Sequence, residues 1–308
     1  MLQRHQVLDD LPTNVGPHAP QAWGDFAYQR FCTPSLSRHR SPDHNQLVAR
    51  ARFHLRHAEE LRIPTSTGDL QAYVFEPDGP AIASVLLVHG WTGEAAFMSA
   101  FAEQFRRRGL RAVLFDLPAH GKSSGVHTTL ISCAHAVREV AEALGPVQYA
   151  VGHSLGGHAV LLAGAASAPM PHAYPFQDFV LVAVPNRFSQ VTNSFSEELG
   201  LSTAARRAYE RRLERIAHRR IADFTGEKLL AETGRPALLL HSRDDADVAF
   251  RDAEEMASCK AAQLQAFDDL GHRKILYAPP AVRAATAYLL RQRNPLSPCS
   301  FSMGRGLG

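Results

Sequence analysis

The residues best placed to do chemistry are Gly152-His153-Ser154-Leu155-Gly156-Gly157. An apolar run, 147–151, leads into them and a helix-forming run, 158–166, leads away, so Ser154 falls on a sharp strand-to-helix turn. A G-x-S-x-G turn strains the backbone until the hydroxyl projects outward, and small flanking residues avoid collision with the neighbouring strand and helix. A serine hydroxyl is a weak nucleophile until a base takes its proton, and the base must itself be oriented by a third group. The turn therefore calls for a histidine and a carboxylate elsewhere in the chain. Two later segments offer them: the acidic cluster His241-Ser242-Arg243-Asp244-Asp245-Ala246-Asp247-Val248 after an apolar strand, and Gly271-His272-Arg273 after the next one.

Such groups need a scaffold that holds them at one place. Short, fully apolar runs at 85–88, 112–115, 147–151, 179–184 and 237–240 have the length of strands buried on both faces. Helical spacing lies between them, with Phe97, Phe101 and Phe105 on one stripe and Cys133, Val137, Val140 and Leu144 on another. These stripes are read as core. The alternation implies an α/β domain with a mostly parallel sheet and helices on both faces, whose ligands bind at the carboxyl ends of the strands. The acidic cluster sits at such an end. Upstream, 61–64 and 70–75 flank Thr65-Ser66-Thr67-Gly68-Asp69, a hairpin signal.

The rhythm breaks between Pro185 and Gly234, where a charged helical segment carries Arg206, Arg207, Arg211, Arg212, Arg215, Arg219 and Arg220. An insertion there would form a small helical cap over the strand ends, and Glu210 and Glu214 make the arginines a solvated, ion-paired face rather than an anion site. Phe188, Phe195 and Tyr209 of the cap either line an apolar pocket or anchor the cap itself. The first 40 residues show little periodicity and read as an irregular arm, but Trp23, Phe26, Tyr28 and Phe31 argue that it docks. A short helix should begin near Ser41-Pro42 and run through Leu47 and Phe53. The expected organisation is an N-terminal arm over 1–57, an α/β domain over 58–293 with the cap at 186–234, and a flexible Pro/Ser/Gly-rich tail over 294–308.

Composition narrows the class. An apolar fraction of 45% and a charged fraction of 20% over 308 residues suit a globular protein with a sizeable core and exclude general disorder. A net charge of +3 does not call for nucleic acid. Cys32, Cys133, Cys259 and Cys299 are widely spaced with no CxxC pair, which favours a reduced, cytoplasmic setting. The polar opening of the chain is unlike a secretory signal, no run approaches a membrane span, and no cysteine-histidine spacing suggests a metal, so a soluble protein without cofactor is expected.

Four local patterns together resemble the serine hydrolases of the α/β-hydrolase fold (esterases, lipases and thioesterases). His89-Gly90-Trp91-Thr92-Gly93 resembles the family's HGxxG oxyanion loop, Asp116-Leu117-Pro118-Ala119-His120-Gly121-Lys122-Ser123 its D-x-P-G-H-G-x-S loop, Gly152 to Gly157 its nucleophile elbow and Gly271-His272 its histidine loop. Ala119 departs from the pattern, standing where glycine is usual. The resemblance implies an α/β-hydrolase fold with Ser154 as nucleophile, His272 as base and Asp245 as the acid, because His241, Asp245 and Val248 fit the family's spacing around that acid. Asp244 then serves the loop, and Asp247 would cap the helix beginning near Phe250. The backbone N–H groups of Trp91 and Leu155 would form the oxyanion hole, the Trp91 indole would wall the acyl pocket, and His89, His120 and His153 would be structural. The implied activity is hydrolysis of a small-molecule carboxylic ester or thioester, with no metal or organic cofactor, no nucleic acid and no membrane as partner. A carbon-carbon hydrolase, a lyase, an acyltransferase or a non-catalytic ligand-binding protein on the same fold are the alternatives.

Overall fold

A computed structural model describes residues 19–34 and 42–291. The tail at 294–308, Cys299, Ser41 and the first eighteen residues of the arm lie outside the described residues.

Eight strands form one sheet in the order β1-β2-β4-β3-β5-β6-β7-β8. β1 (Glu59–Thr65) and β2 (Gly68–Phe75) make the expected hairpin, paired antiparallel from Glu59 with Val74 to Thr65 with Gly68. β2 also runs antiparallel to β4 (Leu110–Phe115). From β4 onward every pairing is parallel, through β3 (Ala83–Val88), β5 (Tyr149–His153), β6 (Asp178–Val182), β7 (Ala237–Ser242) and β8 (Ala262–Phe267).

The apolar strand runs are explained by two cores. Strand side chains alternate between faces, so Leu86, Val88, Val113 and Phe115 enter one core while Val85, Leu87, Ala112 and Leu114 enter the other. Helices cover both faces. Before the sheet come α1 (Pro20–Phe31) and α2 (Pro42–His54); between strands lie α3 (Ser99–Arg107), α4 (Leu130–Leu144) and α5 (Leu155–Gly164). The cap contributes α6 (Phe188–Glu198) and α7 (Thr203–Ala217), followed by α8 (Gly226–Thr233). α9 (Phe250–Met256), the one-turn α10 (Gly271–Lys274) and α11 (Pro279–Arg291) follow. Phe101 and Phe105 of α3 share a core with Tyr288 and Leu289 of α11, whereas Val137 of α4, Leu161 of α5 and Leu229 of α8 share the opposite one. α8 packs against α5 as the crossover leading into β7, and Phe188 of α6 and Leu213 of α7 join the same core.

Two expectations need correction. The arm is not irregular where it is described: residues 20–31 form α1, which packs along α7 of the cap. A glycine in mid-helix costs helix stability, but a Cβ at Gly24 would overlap that of Ala208, so its absence lets the two helices approach. Ala27 is fully buried in the contact, and Arg212 of the cap lies over the Tyr28 ring at 4.0 Å and bonds Asp25 at 3.0 Å. Nor does Asp247 cap α9; the N-cap position is Ala249, without a side-chain cap, and the Asp247 N–H instead donates to Asp245 Oδ1 at 2.9 Å. In the arginine helix Arg206 pairs with Glu210 as expected, whereas Glu214 accepts from the Ile221 N–H at 2.9 Å, and Arg219, beyond the helix, pairs with Glu232. Among the described residues no helix is long and apolar enough to cross a membrane, and Cys32, Cys133 and Cys259 are free thiols.

Candidate active site

β5 ends at His153, α5 begins at Leu155, and Ser154 alone makes the turn between them with φ 52° and ψ −121°. This left-handed backbone is strained for any residue with a Cβ. It persists because the turn is held from several sides: the Ser154 N–H donates to Val182 O at 3.0 Å and the Gly157 N–H to Ser154 O at 2.9 Å. Gly156 must be glycine, since a Cβ there would collide with the carbonyl oxygens of Val88 and His89. Leu155 opens a helix, so its N–H is among those with no partner inside the helix. It faces the same cavity as Ser154 and Trp91.

The loops predicted around the elbow are brought to it. His89 spans its own loop, donating from Nδ1 to Gly90 O (2.8 Å) and accepting at Nε2 from the Leu117 N–H (3.0 Å). His120 repeats the arrangement, with Nδ1 donating to Pro118 O (3.0 Å) and Nε2 accepting from the Thr92 N–H (3.3 Å). Each ring thus ties the loop after β3 to the loop after β4. Asp116 braces the same junction by accepting from the N–H groups of Ala95 (2.7 Å) and Lys122 (2.8 Å). Burial pushes its carboxyl up to about 6 despite those bonds. Beside it, Arg52 reaches from α2 to Glu94 with two bonds of 2.7 Å. Ala119 adopts φ 64°, so the turn that usually carries glycine is kept at the cost of a strained alanine.

The third group of the constellation is built at the ends of β7 and β8. His272 Nδ1 lies 2.9 Å from Asp245 Oδ2, and the Asp245 side chain is fully buried. The other oxygen, Oδ1, accepts from the N–H groups of Asp247 (2.9 Å) and Val248 (2.8 Å). Burial pushes the Asp245 carboxyl up, but the bond to His272 and the two backbone donors outweigh it and hold the group below the usual carboxylate value. An ionised acceptor fixes the His272 proton on Nδ1 and leaves Nε2 as the basic nitrogen. His241 steadies the loop by donating from Nε2 to Val248 O at 2.9 Å, with Asp245 Oδ2 3.5 Å away. Asp244 is a different case: it receives the Ser242 hydroxyl and the Gly271 N–H, joining the acid loop to the histidine loop without touching the imidazole.

His153 joins this unit to the elbow. Its Nε2 lies 2.9 Å from the carbonyl oxygen of His272, and the two rings are 4.7 Å apart. Burial, then the neighbouring His272, depress its pKa to about 3, so the ring stays neutral and acts as a brace. The fold thus brings Ser154, Trp91, Leu155, Asp245 and His272 to one end of the sheet.

The cavity beside Ser154 has a volume of about 140 Å³ and is apolar, bounded by Trp91, Leu130, Ile131, Phe188, Leu213 and, from outside the α/β domain, Phe31. Phe31 of α1 stacks on Trp91 at 6.5 Å and meets Phe188, Phe195 and Tyr209 at 6.1, 5.0 and 5.8 Å. Of the three cap aromatics, Phe188 lines the pocket, whereas Phe195 and Tyr209 pack on Phe31 and anchor the cap. Sequence alone does not single out Phe31 or the wall at 128–131 as pocket residues; the one signal is the density of aromatics in the arm. No group of side chains among the described residues could hold a metal ion.

Comparison with known proteins agrees with this geometry. No curated protein matches the sequence. Among solved structures, a putative lipase from Acinetobacter baumannii is 17% identical with a TM-score of 0.60, covering 81% of this chain and 96% of its own. Est1E from Butyrivibrio proteoclasticus, with ferulic acid bound, is 20% identical with a TM-score of 0.60, covering 76% of this chain and 99% of its own. An esterase of Pyrococcus furiosus is 16% identical with a TM-score of 0.58, covering 77% and 93%. At these identities the likeness is one of fold. The model of the alpha/beta hydrolase family matches residues 85–286, from the strand before the HGxxG loop to the helix after His272; the chain belongs to the alpha/beta hydrolase family.

Proposed function

We propose that the protein is a serine hydrolase that cleaves a carboxylic ester, or a thioester, through an acyl-enzyme on Ser154. The observation that carries this reading is the Asp245–His272 pair, tied through the ring of His153 to the elbow of Ser154, which itself lines an apolar cavity. In this mechanism His272 Nε2 takes the Ser154 proton as Oγ attacks the acyl carbonyl. Asp245 holds the imidazole in the tautomer with its proton on Nδ1 and stabilises the imidazolium that forms. The negative charge developing on the carbonyl oxygen is met by the N–H groups of Trp91 and Leu155, and one such donor is worth about 100- to 1,000-fold in rate. The tetrahedral intermediate collapses as His272 returns the proton to the departing alcohol or thiol. Water then attacks the acyl-enzyme, His272 takes its proton, and the acid leaves while Ser154 is restored. No step needs a cofactor.

The cavity indicates the acyl group. Its volume of about 140 Å³ is close to the engineered cavity of about 150 Å³ that accepts benzene, so a ring or a chain of similar bulk fits beneath the cap. The proteins of similar fold include esterases and a putative lipase, which supports an ester as the bond cleaved. Turnover of p-nitrophenyl esters from acetyl to dodecanoyl tests the reading. Hydrolysis should be greatest for medium-length chains; absence of turnover with every ester and with the matching acyl thioesters would overturn it.

A further inference from the structure

α2 lies before the sheet and outside the residues matched by the family model, yet it reaches the loop that carries Trp91. Arg52 holds Glu94 with two arms of its guanidinium, Nε to Oε1 and Nη2 to Oε2, each at 2.7 Å. The Glu94 side chain is 3% exposed and that of Arg52 55%, so a cation comes in from the surface to a carboxylate that water scarcely reaches. Such two-pronged, charge-assisted pairs fix geometry as well as charge. The apolar side of the same helix packs against the short 3-10 turn Ala95–Met98, with Val48 and Ala51 buried in the core that holds Ala95, Phe97 and Met98.

Glu94 stands at the exit of a tight turn. The Gly93 N–H donates to Gly90 O at 3.0 Å, Thr92 takes φ 56°, and the Thr92 N–H meets His120 Nε2 at 3.3 Å. Trp91 sits inside this turn, three residues before Glu94. On the other side of Glu94, the Ala95 N–H donates to Asp116 Oδ1 at 2.7 Å, so two buried carboxylates anchor one end of the loop. Burial chiefly, with the Glu94 charge adding to it, pushes the Asp116 carboxyl up to about 6, while the backbone bonds and then Arg52 act against that rise. We propose that Arg52 is a positioning residue: its paired bonds to Glu94 fix the exit of the turn and so hold the Trp91 N–H where the developing oxyanion needs it. A donor serves the transition state only if it is aimed before the charge appears, and a misplacement of about 1 Å can cost about 100-fold. Gly90 and Gly93 give the turn little stiffness of its own. Removing the guanidinium takes a counter-charge from two buried carboxylates, which then draw in water or a proton, and either loosens the turn.

The catalytic consequence rests on the serine-hydrolase reading, and one measurement is independent of it. By hydrogen exchange and mass spectrometry, Arg52→Met should speed exchange of the amides across 90–95 about fivefold or more while 85–88 stays as in native protein. Equal exchange across 90–95 would overturn the proposal. With p-nitrophenyl hexanoate, Arg52→Met should lose about tenfold in kcat with KM within about twofold, because the acyl cavity is untouched. Affinity for a hexyl trifluoromethyl ketone should fall by the same factor: Ser154 Oγ adds to its carbonyl as His272 takes the proton, and the resulting alkoxide occupies the place of the oxyanion. Arg52→Lys keeps the charge without the fork and should recover part of the loss. Arg52→Met/Glu94→Gln removes the buried charge along with its partner and should also exceed Arg52→Met in kcat; should Arg52→Met fail to fold, these two variants carry the comparison with native protein. Arg50→Met, which removes an exposed cation from the same helix, should match native protein throughout. A lowered thermal midpoint with kcat and ketone affinity retained would assign Arg52 to stability alone and refute the inference, as would an equal loss in Arg50→Met. If native protein neither turns over the ester nor binds the ketone, the hydrolase reading fails and the exchange of 90–95 alone decides whether Arg52 holds the turn.

Discussion

Replacing Asp245 by asparagine separates the roles in the candidate triad, because the structure fixes what each oxygen does. Oδ1 accepts from two backbone N–H groups, and the amide oxygen of an asparagine there can keep both bonds. Oδ2 is 2.9 Å from His272 Nδ1, and at that position asparagine presents an N–H instead. Two donors cannot share that contact, so the imidazole must move its proton to Nε2 or swing away, and it loses the free Nε2 lone pair that the proposed mechanism uses as base. The equivalent change in other serine triads lowers kcat by about 10⁴-fold, which corresponds to roughly 5.4 kcal/mol of barrier. The fold should survive, since the loop keeps its backbone bonds and His241 still donates to Val248 O. Asp244→Asn is the control. Its carboxylate joins Ser242 to Gly271 and touches neither His272 nor the cavity, so it should lose less than about tenfold, the scale of a single ordinary hydrogen bond. The assay is kcat on the best p-nitrophenyl ester, with the thermal midpoint of each variant measured beside it. An Asp245→Asn variant that is folded and within tenfold of native activity, or one more active than Asp244→Asn, would refute the assignment of the acid.

Two further outcomes follow from the pocket. Phe31→Ala removes a half-buried ring that meets four other aromatic residues and should cost roughly 2 kcal/mol, about half of a full core Phe→Ala loss. It should also move the acyl-length optimum upward, and an unchanged profile would show that α1 does not bound the pocket. Acid stability reports on His158. Its pKa falls from 6.5 in the unfolded chain to about 4 when folded, so the folded state binds fewer protons than the unfolded one between those values. The associated stability is present above pH 6.5 and is lost as pH falls through 4, amounting to roughly 3 kcal/mol at 1.36 kcal/mol per unit. Urea titrations at pH 7 and 4 should show native protein losing more stability than His158→Leu, and parallel losses would contradict the burial argument.

The α/β framework is legible in the sequence because its strands are buried on both faces. Uninterrupted runs such as Val85-Leu86-Leu87-Val88 have few other uses, and the order of loops along the chain then fixes which residues meet at the strand ends. The acid can be chosen from three aspartates only through the family spacing, and the geometry that distinguishes them, one carboxylate bonded to His272 and another to Gly271, depends on contacts between segments far apart in sequence. α1 is not legible as a helix. Its twelve residues include Gly24, which reads as a helix breaker until Ala208, distant in sequence, is seen against it. Short helices depend on tertiary packing more than on intrinsic propensity, and the partner here is the cap.

The central claim is that Ser154 is an activated nucleophile, and covalent labelling tests it most directly. Native protein treated with a fluorophosphonate probe should gain one adduct by intact mass, located on the peptide containing Ser154, while Ser154→Ala should remain unlabelled with its thermal midpoint retained. Equal labelling of the folded Ser154→Ala variant, or failure of the native protein to label at all, would contradict the account.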